Sequence, residues 1–205
     1  MSVNLQKGQK ISLSKEGIGL KNVMVGLGWD RTQLPKYGFF KTLISGEPLP
    51  VDFDASCILL GADGKLLSGD VNETAVYFNN LSLASGAIAH LGDNLTGEGE
   101  GDDEQITVDL DRVPENVDRL VFAVNIYNAD DRGQHFGMIK NAFIRLVDTD
   151  TDTEICRYNL TDDYSGMTGM IMGELCRREG GWKFNAVGQG IRRASRLGNI
   201  VNLYR

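Results

Sequence analysis

At 205 residues, 41% hydrophobic and 24% charged, the chain can bury a sizeable core without staples, and its size suits one large all-β domain. No apolar run approaches the length of a bilayer crossing and no leader of charged, apolar and small segments is seen, so a cytoplasmic protein is expected. A net charge of -7 argues against nucleic-acid binding, which needs clustered Lys and Arg to displace phosphate counterions.

Short apolar runs separated by turn residues recur in chain order at 11–13, 23–27, 51–60, 75–78, 87–91, 106–110 and 120–127, then at 142–147, 155–160, 170–176 and 182–187. This is the spacing of an antiparallel β-sandwich of two sheets. In 106–110 the alternation is clean: Ile106, Val108 and Leu110 point one way, Thr107 and Asp109 the other. Long helical patterns between strands are missing, which disfavours the parallel α/β folds. One or two short helices are expected, one near Phe136-Gly-Met-Ile-Lys140 and one over 191–204. In the latter, Ile191, Ala194, Leu197, Ile200, Val201 and Tyr204 recur at three- and four-residue steps, and the segment is expected to dock on the sandwich. Segment 31–50 holds three of the four prolines and no clear period, and reads as an irregular insertion within a single domain spanning 1–205. The basic C-terminal segment is 191–205. Cys57, Cys156 and Cys176, odd in number and set in apolar segments, read as reduced core residues.

The acidity is local. From Leu66 to Asp111 there are ten carboxylates and no Lys or Arg, while the other 18 acidic residues are outnumbered by the 21 basic ones. Gly92-Asp-Asn-Leu-Thr-Gly-Glu-Gly-Glu-Gly-Asp-Asp-Glu104 packs six carboxylates and four glycines into thirteen residues, with no base nearby in the chain. Two like charges about 4 Å apart repel by roughly 1 kcal/mol even in water, so a compact loop of this composition calls for a cation. Calcium suits it, taking carboxylate, amide and backbone oxygens in a tolerant geometry. Gly97, Gly99 and Gly101 alternate with ligand-type residues and let carbonyls turn inward. Zinc would want Cys or His. A second acidic element, Asp52-Phe-Asp-Ala-Ser56, would place Asp52 and Asp54 on one strand face about 7 Å apart. Alone, such a pair reads more simply as solvated residues of an edge strand.

Other motifs have plain explanations. Asp148-Thr-Asp-Thr-Asp-Thr-Glu154 mimics an EF-hand start but lacks its glycine and closing glutamate, and reads as a hairpin turn. Gly26-Leu-Gly28 has no following helix, so a dinucleotide site is weak. Arg192-Arg-Ala-Ser195 would suit a basophilic kinase, yet a basic helix face is simpler.

Gly26-Leu-Gly-Trp-Asp30, Asp52-Phe-Asp-Ala-Ser56, Tyr77-Phe-Asn-Asn80 and the acidic segment occur in the order seen in the TerD family of tellurium-resistance proteins, which this chain resembles over residues 1–190. Ala142-Phe-Ile-Arg-Leu-Val147, Arg157-Tyr-Asn-Leu160, Gly181-Trp-Lys-Phe184 and Ala186-Val-Gly-Gln-Gly190 add to the likeness, and the cysteine of Asp54-Ala-Ser-Cys57 leans toward the TerZ-like branch. The resemblance implies a calcium-binding sandwich, with two Ca2+ ions expected, in bacterial proteins tied to tellurite resistance and stress response, without catalytic activity. By matching positions it implies ligands Asp52, Asp54, Asp93, Asn94, Thr96, Glu98, Asp102, Asp103 and Glu104, with the backbone oxygens of Gly97 and Gly99. Asp30 and Asn79 would assist. Segments 31–50 and 191–205 depart from the shorter family members.

The function expected is therefore calcium-dependent binding of protein partners in a stress-response complex, through which the chain could reach a membrane surface. Two alternatives stand beside it. One is a metal-dependent enzyme acting on a phosphate-bearing or oxyanion substrate, with His90 as the base nearest in sequence. The other is direct tellurite handling by the thiols, weak for three scattered cysteines.

Overall fold

The structure is a computed structural model that describes residues 2–15, 18–31, 51–92 and 101–205. Its strands, in chain order, are β1 (Val3–Leu5), β2 (Lys10–Ser12), β3 (Ser14–Lys15), β4 (Ile18–Gly19), β5 (Asn22–Arg31), β6 (Phe53–Leu60), β7 (Ala75–Val76), β8 (Ser82–Leu83), β9 (Ile88–His90), β10 (Glu104–Asp109), β11 (Arg119–Ile126), β12 (Ile139–Asp148), β13 (Thr153–Asn159), β14 (Gly169–Arg178) and β15 (Gly181–Ile191). They form a seven-stranded sheet, β1-β13-β12-β5-β10-β9-β8, and a six-stranded sheet, β2-β15-β14-β11-β6-β7, with β3 and β4 as a small hairpin. Among the described residues the one parallel pairing is β1 with β13, and the rest of the sandwich is antiparallel as the run spacing predicts.

Alternation decides which faces meet. On β10, Ile106 and Val108 are fully buried while Thr107 and Asp109 are half-buried, and Leu110 just beyond continues the inner stripe. The main core draws on both sheets, with Leu27, Phe53, Phe122, Ile144, Leu146 and Phe184 fully enclosed. Each such side chain contributes about 1.5–3 kcal/mol relative to an exposed position. β6 and β11 lack alternation because both their faces are covered. Cys57 and Leu59 face the main core, whereas Ile58, Leu60, Val121 and Ala123 form a second cluster on the outer side of the six-stranded sheet. All three cysteines are free and buried.

The second cluster is roofed by the C-terminal segment, though not by the helix expected from Ile191. β15 runs through Ile191, and Arg193 turns the chain at φ 55°. A helix then spans only Leu197–Val201 and tightens into a 3-10 turn at Asn202–Tyr204. Ala194, Ile200 and Val201 are fully buried there, so the apolar steps read as helical serve a strand end, a turn and a short helix in succession. Ser195 is buried and its hydroxyl donates to Asp130 at 2.8 Å, which removes the kinase reading. Two further helical turns, Val71–Thr74 and Ala129–Arg132, and 3-10 turns at Ala84–Gly86 and Phe136–Met138 complete the described helices. No described helix is long and apolar enough to cross a membrane. The run 148–154 is the hairpin between β12 and β13, with the Asp148 carboxylate accepting from the Asp150 amide (3.0 Å) and the Thr151 hydroxyl (2.8 Å). Of the insertion 31–50, only Arg31, the last residue of β5, lies among the described residues.

Candidate metal centre

One end of the sandwich gathers the acidic elements. The registers Leu27 with Glu104, Arg31 with Ile139 and Phe53 with Ile126 bring the end of β5, the starts of β6, β10 and β12, and the end of β11 to it. The sheets touch there through aromatic rings: Trp29 lies 4.6 Å from Phe53, and Phe136 5.6 Å from Phe53. Phe53 is buried, so Asp52 and Asp54 on either side of it face away from the core. The Asp52 carbonyl accepts the Tyr127 amide at 2.8 Å, and Asp54 accepts from Asn125 Nδ2 across the strand pair at 2.8 Å.

Three consecutive carboxylates at the start of β10 have three different environments. Asp102 lies on the outer face of the seven-stranded sheet, its side chain wholly buried, with Arg145 Nε on Oδ1 at 2.7 Å and Arg145 Nη2 on Oδ2 at 2.8 Å. Asp103 finishes β5: its amide donates to the Leu27 carbonyl at 2.8 Å and its Oδ2 accepts the Trp29 amide at 2.8 Å. Glu104 shares the inward face of Ile106, and its Oε2 stands 3.0 Å from His90 Nε2, both side chains being buried. The Gly92 amide donates to His90 Nδ1 at 3.1 Å.

Gly26-Leu-Gly28 acquires a reason here. A Cβ on Gly26 would sit 2.3 Å from the Asp102 carboxylate, and one on Gly28 would sit 2.4 Å from the Phe143 ring and 2.8 Å from the Gly101 carbonyl oxygen. The glycines clear a lane on β5 for the stem of the acidic segment, and no dinucleotide geometry is involved. The expectation that the segment has no base nearby holds along the chain and fails in space, because β12 delivers Arg145 from 43 positions away. Arg145 Nη1 also reaches Glu154 at 3.4 Å, and Glu154 accepts from Arg157 at 3.2 Å. The Arg157 guanidinium lies 4.0 Å over the Phe143 ring, on the wall of a groove of about 700 Å³ that Asp30, Gly101 and Asn141 also line. Asp30 accepts from Asn141, and Asn79 is exposed on the turn after β7.

Of the implied ligands, Asp52, Asp54, Asp102, Asp103 and Glu104 are described, whereas Asp93, Asn94, Thr96, Gly97, Glu98 and Gly99 lie outside the described residues. The five described carboxylates share one end of the fold but not one face. Among the described residues no three His, Cys, Asp or Glu side chains stand close enough to hold an ion by themselves. Sequence reasoning missed Arg145, Asn125 and the inward turn of Glu104. Only the last had a signal, since Glu104 is in phase with Ile106 and Val108.

The sequence matches the family model of the TerD domain over residues 1–204. It is 48% identical over 204 residues to the stress response protein SCP2 of Bacillus subtilis (strain 168), covering 100% of both chains. To the tellurium resistance protein TerD of Serratia marcescens it is 47% identical over 190 residues, 93% of this chain and 91% of that one. The tellurium resistance protein TerZ of the same organism is 43% identical over the same shares. A crystal structure of a TerD homologue from Streptomyces coelicolor A3(2) superposes with a TM-score of 0.61 over 85% of this chain and 92% of its own, at 24% identity, a likeness of fold. With the whole length matched and nearly half its residues shared with such relatives, the chain belongs to the TerD family.

Proposed function

We propose that this protein is a calcium-binding module of a bacterial tellurite-resistance and stress-response system, acting through protein partners and not by catalysis. The observation that carries the reading is the convergence of Asp52, Asp54 and Asp103 on the sandwich end from which segment 93–100 is strung, between Gly92 and Gly101, in a stretch of sequence without Lys or Arg. The donor chemistry fits a hard cation: carboxylates, the Asn125 amide and backbone carbonyls are at hand, the thiols are buried in the core, and His90 is buried with its Nδ1 taken by the Gly92 amide. Asp52, Asp54 and Asp103 would hold ions together with Asp93, Asn94, Thr96, Glu98 and the carbonyls of Gly97 and Gly99. Bound calcium would supply the positive charge that cancels repulsion among these side chains. The chain's own part is to present a rigid platform: β5, β6 and β10 fix the carboxylates, and the Trp29–Phe53 contact keeps the two sheets together beneath them. A partner would then read the ordered surface, and protein partners would mediate any contact with a membrane. Three unpaired thiols suit a reducing, cytoplasmic setting.

Calorimetric titration with calcium, with melting in calcium and in chelator, tests the proposal. At a free concentration about a hundredfold above Kd, each site adds roughly 2.7 kcal/mol of stability. Absence of heat together with an unchanged melting temperature would dismiss it.

A further inference from the structure

We propose that Arg145 is a built-in counter-cation of the acidic segment: it holds Asp102 as a positioning residue, fixes the passage of the segment into β10, and keeps Asp102 out of the metal's coordination. The inference refines the calcium reading and rests on it only for the ion's part.

The pairing is of the strong kind. A guanidinium fork meets a carboxylate through two parallel bonds at 2.7 and 2.8 Å, and Gln105 Nε2 adds a third donor to Oδ2 at 3.1 Å. Three donors thus occupy a carboxylate with about four lone-pair sites and no exposed surface. The seat is shaped for it, since it exists only while residue 26 has no Cβ. Glu154 holds the guanidinium from behind at 3.4 Å, and Glu154 is itself held by Arg157 at 3.2 Å and by the Ser2 hydroxyl at 2.6 Å. The hydrogen bond to Asp102, opposed in part by burial, keeps the Arg145 guanidinium above its ordinary pKa, so it stays charged. Directly after the clamp, the Asp103 amide enters the β5 ladder at the Leu27 carbonyl. An ion that recruited Asp102 would have to break the fork and leave a half-buried guanidinium without its main partner, which is costly.

The test is a double-mutant cycle of Asp102→Asn and Arg145→Gln, melted in chelator and again in excess calcium, with calcium titrations of each variant. The clamp requires strong non-additivity, the double variant melting no lower than the worse single variant, to the same extent in both conditions. Asp102→Asn should bind as many ions as the parent, with Kd within about threefold. Arg145→Lys, which keeps the charge but loses the fork, should melt between parent and Arg145→Gln, while Arg145→Gln speeds amide exchange at Asp103. Loss of an ion in Asp102→Asn, a Kd weakened more than about tenfold, or coupling that disappears in calcium would make Asp102 a ligand and overturn the proposal. If the parent binds no calcium, the calcium reading falls, and the clamp is judged by the chelator cycle alone: additivity there sinks it.

Discussion

Glu154 shows how single contacts set pH behaviour. Burial alone would raise its carboxyl, but hydrogen bonds from Ser2 and Arg157, the charge of Arg157 and the bond from Arg145 outweigh that and hold it below its ordinary value of 4.5. A carboxylate lowered in the folded state stabilises the fold above its unfolded pKa, and that contribution is lost as pH falls through the folded value. Glu154→Gln should therefore flatten the loss of stability below about pH 4.5, as followed by acid titration of the melting temperature. The thiols make a second test. Burial pushes Cys57 well above the usual range and, with Glu154 adding to it, pushes Cys156 up to about 12, while burial and Glu174 raise Cys176. All three should resist a thiol reagent in the native protein and react promptly once it is unfolded. At Gly26, alanine should cost about 1–3 kcal/mol in denaturant unfolding, because its methyl claims the space of the Asp102 carboxylate. At this scale the sequence exposed residue types but not their partners. Gly26 carries only a weak nucleotide signal and Arg145 none of its own, because the contact joining them through Asp102 exists only after β5, β10 and β12 are side by side.

Elements were more legible where periodicity had room to show. β10 declares its buried face in six residues, and β6 and β11 carry continuous apolar stretches at 57–60 and 120–124 because both their faces are covered there. β1, β3, β4 and β8, of two or three residues each, are too short to show any period. The C-terminus misled for a different reason. Val187 and Ile191 in a strand, then Leu197, Ile200 and Val201 in a helix, all address the same cluster, and their spacing imitates one longer helix. The docking expected of that segment is nevertheless observed. Ile200, fully buried against the outer face of the six-stranded sheet, anchors it. Ile200→Ala should lower unfolding free energy by about 2–5 kcal/mol in denaturant titration.

For the molecule as a whole, two sheets and one shared core follow from the run spacing. The distribution of carboxylates over both sheets at one end does not, since sequence order says nothing of which face each presents. One further property follows from the pairing of β1 with β13, Val3 opposite Cys156 and Leu5 opposite Tyr158. β1 finds its neighbour only after the long stretch of chain up to β13 has been made, so an edge of the larger sheet closes late in folding. Until then β13 offers unsatisfied backbone groups to any extended segment nearby. Crowding of nascent copies, more than erosion of native contacts, is where this architecture is most open to aggregation.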